Sequence, residues 1–256
     1  MQTSITNEQH IRFRQACEKI LDGEKTKNGI GTLGEKTLHA VLKAYYEPYE
    51  DNHEIKIGGY VADIVGENGI IEIQTRQFNK LRRKLENFLP AAHVTVVYPI
   101  PATKWLSWMD METGETTAKR KSPKKGTAYH AFDELYKIKY LLTDPQLSIR
   151  LVLIDMLEYR YLNGWSTNKK KGSSRKDRIP LDIVEEITLS SWRDYAVFLP
   201  EKLPIRFTSK DYHKAAGISL PLAQTGLNIL TAVGVVERVD KQGNSIVYQR
   251  TQSLLG

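Results

Sequence analysis

The sequence predicts an α/β protein in which helices flank a sheet, followed by a small C-terminal domain of two helices and a hairpin. In residues 35–98 a helical apolar period gives way to two short β-branched runs, then to a second helical period and a third run. After residue 204 the pattern changes to short helices and strands. A chain of 256 residues also exceeds the usual size of one compact domain. We expect one domain over residues 1–165, a basic connecting segment over 166–203 and a second domain over 204–256.

The N-terminal part predicts two helices separated by a loop. Apolar residues at helical spacing indicate a short amphipathic helix over residues 8–21, and the Gly- and Lys-rich stretch 22–32 indicates a loop. A second helix begins near Gly34. Its apolar stripe leaves Glu35 and His39 on or near its flank.

A β-hairpin follows this helix. The apolar runs Gly59–Val65 and Ile70–Thr75 are joined by Gly66–Gly69, a turn whose glycines and asparagine accept positive φ angles. The turn length predicts that Val65 pairs with Ile70.

The rest of the first domain is predicted from periodicity and from its breakers. The expected elements are a helix Gln77–Leu89, a strand His93–Tyr98 ended by Pro99, a hairpin of Lys104–Asp110 and Glu115–Lys121, a helix Ala131–Leu142 and a strand Ser148–Tyr161. The segment Thr167–Arg178 is too polar and too charged to bury a core, so we expect a loop there.

The predicted hairpin brings acidic residues together. With Val65 opposite Ile70, Asp63 is expected across from Glu72, with Gln74 on the same face. Like charges at opposed positions are destabilising unless they are neutralised, and a divalent cation such as Mg²⁺ or Mn²⁺ would do this. The alternative is that both acids lie on a solvated face of the sheet.

An acid near a helix start, the Asp of Val-Ala-Asp-Ile-Val and the run Glu72-Ile73-Gln74 occur in the order of the metal-site motifs of the PD-(D/E)XK nuclease superfamily. This stretch, about a quarter of the chain, resembles that superfamily. The resemblance implies a restriction-endonuclease-like mixed sheet flanked by helices and hydrolysis of DNA. It implies that Asp63, Glu72 and the Ile73 carbonyl bind the metal, that Glu35 acts through water, and that these acids and Gln74 form the catalytic set.

Gln74 departs from the family pattern, which places lysine there. An amide can orient water but cannot neutralise charge. Some restriction endonucleases of this superfamily carry Gln, so both an active nuclease and a non-catalytic DNA-binding or regulatory protein stay open. The basic residues after the motif would suit phosphate contacts or a solvated helix face equally; they are Arg76, Lys80, Arg83 and Lys84.

The region after Pro204 has helix-turn-helix spacing and resembles winged-helix domains. Thr208 begins a short helix, Ser219 can cap a second helix, and two strands follow. In winged-helix domains the second helix contacts the major groove of DNA. Three residues are candidates for contacts with bases or phosphates; they are Gln224, Asn228 and Lys241. Many winged helices contact proteins instead, and this alternative stays open.

Composition favours an anionic partner. The formal charge of +7 would attract a polyanion such as DNA, although it cannot separate DNA from RNA or a membrane surface. Cys17 is the sole cysteine, which excludes an intramolecular disulfide. No signal peptide or membrane span is visible, so we expect a cytoplasmic protein. The nuclease resemblance adds a homodimer as one candidate assembly, and a protein-interaction module remains a third functional alternative.

Overall fold

The computed structural model describes residues 2–27, 37–161 and 174–254. Its main sheet has eight strands, which are β1 (Gln2–Ser4), β2 (His53–Ile57), β3 (Tyr60–Gly66), β4 (Gly69–Ile73), β5 (Val94–Met109), β6 (Arg120–Lys121), β7 (Leu147–Tyr161) and β8 (Ser174–Leu189). The order is β1-β8-β7-β5-β4-β3-β2, and β6 pairs with β5 outside this order. β5 runs parallel to β4 and β7, and the other pairs are antiparallel. The predicted α/β class is confirmed.

Helices cover both faces of the main sheet. α1 (Asn7–Lys27) and α2 (Thr37–Tyr46) pack on one face, and α3 (Arg82–Phe88) and α4 (Phe132–Leu135) pack on the other. The core on the α2 side includes Phe13, Leu42, Tyr45, Val97 and Ile154. The core on the α3 side includes Phe78, Leu85, Phe88, Val94 and Val96. Neighbouring residues of β5 thus enter opposite cores, as expected for a strand buried on both faces.

The predicted hairpin is confirmed as β3 and β4. Val65 pairs with Ile70, and Gly66 pairs with Gly69. Gly69 has a φ of +102°, and a Cβ there would lie 2.3 Å from the carbonyl oxygen of His93. Glycine is therefore required both for the backbone angle and for this close approach. The edge strand β2 was not predicted, because its alternation of charged residues and isoleucines spans only five residues.

The strand predicted to end at Pro99 instead continues through Pro101 as β5, which corrects that prediction. The Val97 carbonyl accepts a hydrogen bond from the Gln74 N–H, so the backbone groups of alternate residues from Val97 onward point toward β4. β4 ends at Ile73, the partner of Val97. Pro99 and Pro101 lie beyond that end. Although they lack N–H groups, no hydrogen bond between β5 and β4 is therefore lost.

Two predicted loops are partly regular structure. α1 continues to Lys27, into the predicted loop 22–32. β8 begins at Ser174 and pairs with β7, so residues 174–178 of the predicted basic loop are a strand. Residues 174–189, predicted as part of the connecting segment, accordingly belong to the main sheet. The remaining residues of the two loops, 28–32 and 167–173, lie outside the described residues.

The C-terminal region contains α5 (Ser209–Ala216), α6 (Leu220–Ala232) and a sheet of β9 (Arg206–Thr208), β10 (Val236–Gln242) and β11 (Ser245–Arg250). Thr208 caps α5 in a reciprocal arrangement, since the Asp211 carboxylate accepts a hydrogen bond from the Thr208 N–H at 2.8 Å. The Ser219 hydroxyl accepts one from the Leu222 N–H. Both predicted helix starts are confirmed.

The C-terminal region shares a hydrophobic core with the main sheet. Gly226 of α6 lies so close to Phe132 of α4 that an added Cβ would be 2.3 Å from its ring. The same core includes Phe198, Tyr212 and Leu227, together with Val96 of β5. In the part of the chain that the structure describes, we find no helix long and apolar enough to cross a membrane.

Candidate functional site

Asp63 lies in β3 just beyond the point where backbone pairing with β4 ends. The pairing stops at Ile64 and Ile71. One residue further, Asp63 Oδ2 accepts a hydrogen bond from the Ile73 N–H at 2.7 Å. A side chain therefore joins the two strands where their backbone ladder stops, and the directly opposed Asp63–Glu72 pair expected from the sequence is not formed.

A local irregularity of β3 turns Asp63 toward α2. Ala62 belongs to the core on the α3 side and Ile64 to the core on the α2 side, although residues two apart in a regular strand share a face. The irregularity therefore falls at Asp63. His39 of α2 lies with its Nε2 atom 3.3 Å from Asp63 Oδ2. The sequence placed His39 near the flank of this helix, but outside the catalytic set.

Glu72 of β4 is the second carboxylate of the site, and it is only 2 % exposed. Its Oε1 atom accepts a hydrogen bond from the Asp63 N–H at 3.3 Å. Its Oε2 atom lies 2.5 Å from the Nζ atom of Lys84 in α3. The fold therefore brings together the two acids that the sequence selected, and it adds an ammonium group beside them.

Burial and mutual repulsion give the two carboxyl groups opposite protonation behaviour. Burial raises the pKa of Glu72 to about 7, the charge of Asp63 adds to this rise, and Lys84 opposes it. Burial also raises the pKa of Asp63, but the hydrogen bond and charge of His39 and the Ile73 N–H outweigh it and hold this pKa below its ordinary value. Near neutral pH the pair therefore carries one permanent negative charge and one that titrates.

Gln74 and Lys84 occupy different places from those that the sequence suggested. The Gln74 side-chain amide donates a hydrogen bond to the carbonyl oxygen of Arg76. Lys84, predicted as a phosphate contact, instead pairs with the carboxylate of Glu72. The contact between Lys84 and Glu72 could not be predicted from the spacing of residues in the sequence, because it depends on how α3 packs against β4.

The other predicted residues of the nuclease-like region form no further part of this site in the structure. Glu35 lies outside the described residues. Arg76, Lys80 and Arg83 are exposed. Within the described ranges there is no group of three or more His, Cys, Asp or Glu side chains that could hold a metal ion. The carboxylates that meet here are thus those of Asp63 and Glu72, and the role of the Ile73 carbonyl as a metal ligand stays a prediction.

The predicted contact residues of the C-terminal region differ in accessibility. Gln224 and Lys241 are exposed. Asn228 Oδ1 instead accepts a hydrogen bond from Lys139 Nζ at 2.6 Å, which ties α6 to the helical segment after α4. α6 can therefore offer Gln224 to a partner without rearrangement, whereas Asn228 is already engaged.

Comparison with known proteins gives a family for the chain. No solved structure matches it. A protein of Treponema pallidum (strain Nichols), described as uncharacterized, is 28% identical over 230 residues, which cover 86% of this chain and 87% of that protein. The family described as a domain of unknown function, DUF8091, matches residues 36–190, a range that includes Asp63, Glu72 and Lys84. Because this range spans more than half of the sequence, the chain belongs to the DUF8091 family.

Proposed function

We propose that this chain is a metal-dependent nuclease that hydrolyses phosphodiester bonds of DNA at Asp63 and Glu72. The observation that carries the proposal is the convergence of two carboxylates and one ammonium group, from Asp63, Glu72 and Lys84, where β3 and β4 separate. Burying a charged group costs free energy, and strongly shifted acids are concentrated at functional sites. A carboxyl group that titrates near neutral pH beside an ionised neighbour fits this description.

The residues present fit a divalent cation such as Mg²⁺ or Mn²⁺. The repulsion that raises the pKa of Glu72 is one that a cation would relieve. Asp63, Glu72 and the Ile73 carbonyl offer the hard oxygen ligands that these ions prefer, and magnesium needs only one or two protein carboxylates. A bound metal ion would polarise the phosphoryl group of the substrate and would lower the pKa of the attacking water.

Lys84 takes the role that the PD-(D/E)XK pattern gives to the lysine replaced here by Gln74. Its Nζ atom holds the Glu72 carboxylate and provides a positive charge beside the two acids. Such a charge stabilises the negative charge that develops on phosphate oxygens during hydrolysis. His39, through its contact with Asp63, fixes the orientation of the other acid.

The restriction-endonuclease-like and winged-helix assignments are part of the same proposal. The order α2, β3–β4 hairpin, α3 and β5, with an acid on each hairpin strand, supports the first assignment. The succession of α5, a turn, α6 and the β10–β11 hairpin supports the second. The formal charge of +7 supports an anionic substrate. Since α6 packs on α4, contacts with DNA would come from Gln224 and from Lys241 in the β10–β11 hairpin.

A second candidate function is nucleic-acid binding without hydrolysis. Gln74 replaces the expected lysine, and its amide is engaged by the Arg76 carbonyl. Two carboxylates are also fewer acids than many metal centres use, and the described residues hold no larger group. In this case Asp63 and Glu72 would remain from an ancestral site, and the protein would bind DNA without cutting it.

The two candidates are separated by a cleavage assay on single-stranded, duplex and branched DNA with magnesium or manganese. Wild type is compared with Asp63→Asn and Glu72→Gln. Glu67→Gln is the matched control, because Glu67 is an exposed acid in the turn of the same hairpin. We expect wild type and the control to cleave alike, and the two site variants to lose activity by roughly 10²-fold or more.

Two other outcomes have defined meanings. Absence of cleavage with both metals, together with retained DNA binding, would support the non-catalytic candidate. Cleavage that survives both Asp63→Asn and Glu72→Gln would contradict the proposal, since the activity would then arise elsewhere.

A further inference from the structure

A second charged cluster lies where β5, β7 and β8 continue beyond the end of β4. At its centre is Glu158 of β7, which is 0 % exposed. Four cationic side chains surround its carboxylate: Arg160 Nε at 2.8 Å, Lys104 Nζ and Arg178 Nε at 3.4 Å, and Arg175 Nε at 3.5 Å. We call these five residues the Glu158 cluster.

The Glu158 cluster carries more positive charge than its acid can neutralise. Burial raises the pKa of Glu158, but Arg160 and the other cations outweigh it and keep this pKa below its ordinary value. Burial, and then the charge of Arg178, lower the pKa of Arg175. The glutamate therefore stays ionised and fixes the cations in place, while the cations repel one another. An anion bound among them would relieve that repulsion.

The cations of the Glu158 cluster remain within reach of solvent. Side-chain exposure ranges from 17 % for Arg178 to 35 % for Arg175. Each arginine has its Nε atom within 3.5 Å of the Glu158 carboxylate. Arginine is also the side chain whose planar fork of N–H groups binds phosphate in a bidentate manner.

The Glu158 cluster extends across three neighbouring strands. Lys104 lies in β5 and Arg160 in β7, while Arg175 and Arg178 lie in β8 and pair with Arg160 and Glu158. Adjacent strands are about 4.8 Å apart, so the backbones that carry the cations span about 10 Å in that direction, while their nitrogens converge on one carboxylate. Four cations beside one acid leave a net positive charge that the phosphates of a nucleic acid would neutralise.

Individual side chains connect the Glu158 cluster with the carboxyl end of β4, although Glu158 itself pairs with Leu106, nine residues beyond Val97. Tyr98 follows Val97, the partner of Ile73, and Arg178 is close enough to lower the pKa of Tyr98 against the larger effect of burial. Arg76, two residues after Gln74, is close enough to act on the pKa of Arg175. The positive surface therefore begins beside the strand that carries Glu72.

We infer that the Glu158 cluster binds the phosphodiester backbone of a nucleic acid and leads it toward Asp63 and Glu72. The direction toward those acids rests on the proposed function, whereas the binding itself needs no hydrolysis. A purely structural role would be to neutralise Glu158, for which one or two cations suffice. The further cations, spread over three strands, are what a phosphate backbone would engage.

The inference is tested by DNA binding in the presence of EDTA, so that metal-dependent cleavage does not interfere. Labelled single-stranded and duplex oligonucleotides are titrated at several salt concentrations with wild type and with Arg160→Gln/Arg175→Gln. Lys56→Gln/Lys202→Gln is the control, because it removes two exposed lysines of other surfaces. Circular dichroism and Tm confirm that each variant is folded.

We expect the cluster variant to bind all sequences more weakly, with a slope of log Kd against log salt that falls by about two for duplex DNA. The control keeps the wild-type slope, since its lysines lie on other surfaces. If the double variant does not fold, Arg175→Gln alone, at the most exposed cation of the cluster, should lower the slope by about one.

The outcomes distinguish this inference from the proposed function. A folded cluster variant with wild-type affinity and slope would overturn the inference, even if wild type cleaves DNA with magnesium. A reduced slope in a protein that never cleaves would support the inference and reject only the hydrolysis.

Discussion

Single residues set the electrostatics of the candidate site. Asp63 and Glu72 are joined through a backbone N–H, yet the surroundings of Asp63 favour its charged form and those of Glu72 its neutral form. The difference arises because His39 and the Ile73 N–H stabilise the charge on Asp63, whereas Glu72 is almost fully buried. Asp63 therefore stays ionised near neutral pH, whereas the ionised form of Glu72 is disfavoured.

The raised pKa of Glu72 predicts that ionisation of this side chain lowers the free energy of unfolding. Its pKa rises from 4.5 to about 7 on folding, so its contribution to stability is fully present below pH 4.5 and is lost as the pH rises through 7. Glu72→Gln removes that titration. We expect the variant to exceed wild type by on the order of 3 kcal/mol near pH 8, and to equal it near pH 4.

Denaturant unfolding in EDTA measures the effect of Glu72→Gln at both pH values, with Glu67→Gln as the control. A gain of the same size at low and high pH would contradict the assignment of the raised pKa to Glu72. Magnesium added near pH 8 should stabilise wild type more than Glu72→Gln, because a ligand that binds only the folded state raises its stability.

A second residue-level prediction concerns the cation of the site. Lys84→Gln removes the charge beside Glu72 and should lower the rate of DNA cleavage by roughly 10²-fold. Adding Gln74→Lys to this variant places an ammonium group at the position that the PD-(D/E)XK pattern uses, and should restore at least part of that loss. Single-turnover cleavage rates are measured for wild type, Lys84→Gln and the double variant Lys84→Gln/Gln74→Lys. An unchanged rate in Lys84→Gln would show that Lys84 is only a structural partner of Glu72.

At the scale of elements, the packing of α6 against α4 determines which residues of α6 are available. Helix propensity alone favours alanine over glycine by about 1 kcal/mol, so Gly226→Ala would stabilise an exposed helix. Here the added Cβ would lie 2.3 Å from the ring of Phe132. We expect a net loss of about 1–3 kcal/mol in the free energy of unfolding.

The matched experiment for Gly226→Ala is a double-mutant cycle with Phe132→Leu, which makes room for the new methyl group. The two substitutions together should cost less than the sum of their separate effects. Strict additivity would mean that α6 does not approach Phe132 as closely as described.

At the scale of the whole molecule, the continuous core makes the C-terminal region part of one folding unit. Phe132 and Phe198 precede the predicted boundary at residue 204, while Tyr212 and Leu227 follow it, and all four lie in the same core. We expect one cooperative thermal transition, with equal calorimetric and van't Hoff enthalpies. Two separate transitions would show instead that residues 204–256 fold independently.

The parts of the fold that depend on residues close together in the chain could be predicted from the sequence. The β3–β4 register follows from a short turn containing Gly66 and Gly69, because turn length determines which residues pair. Thr208 and Ser219 mark helix starts through hydrogen bonds to residues three positions away. For the same reason, the placement of Asp63 and Glu72 on two adjacent strands could be predicted from the sequence.

Other features depend on contacts between residues distant in the chain, and only the tertiary structure decides them. Lys84 meets Glu72 because α3 packs beside β4, and Asn228 meets Lys139 because α6 packs near α4. β5 passes through Pro99 because β4 has already ended. The basic residues at the start of β8 pair with β7, whose Glu158 neutralises part of their charge. Sequence by itself determined the local turns, caps and register, whereas side-chain partners and burial were decided by the packing of elements, which no periodicity encodes.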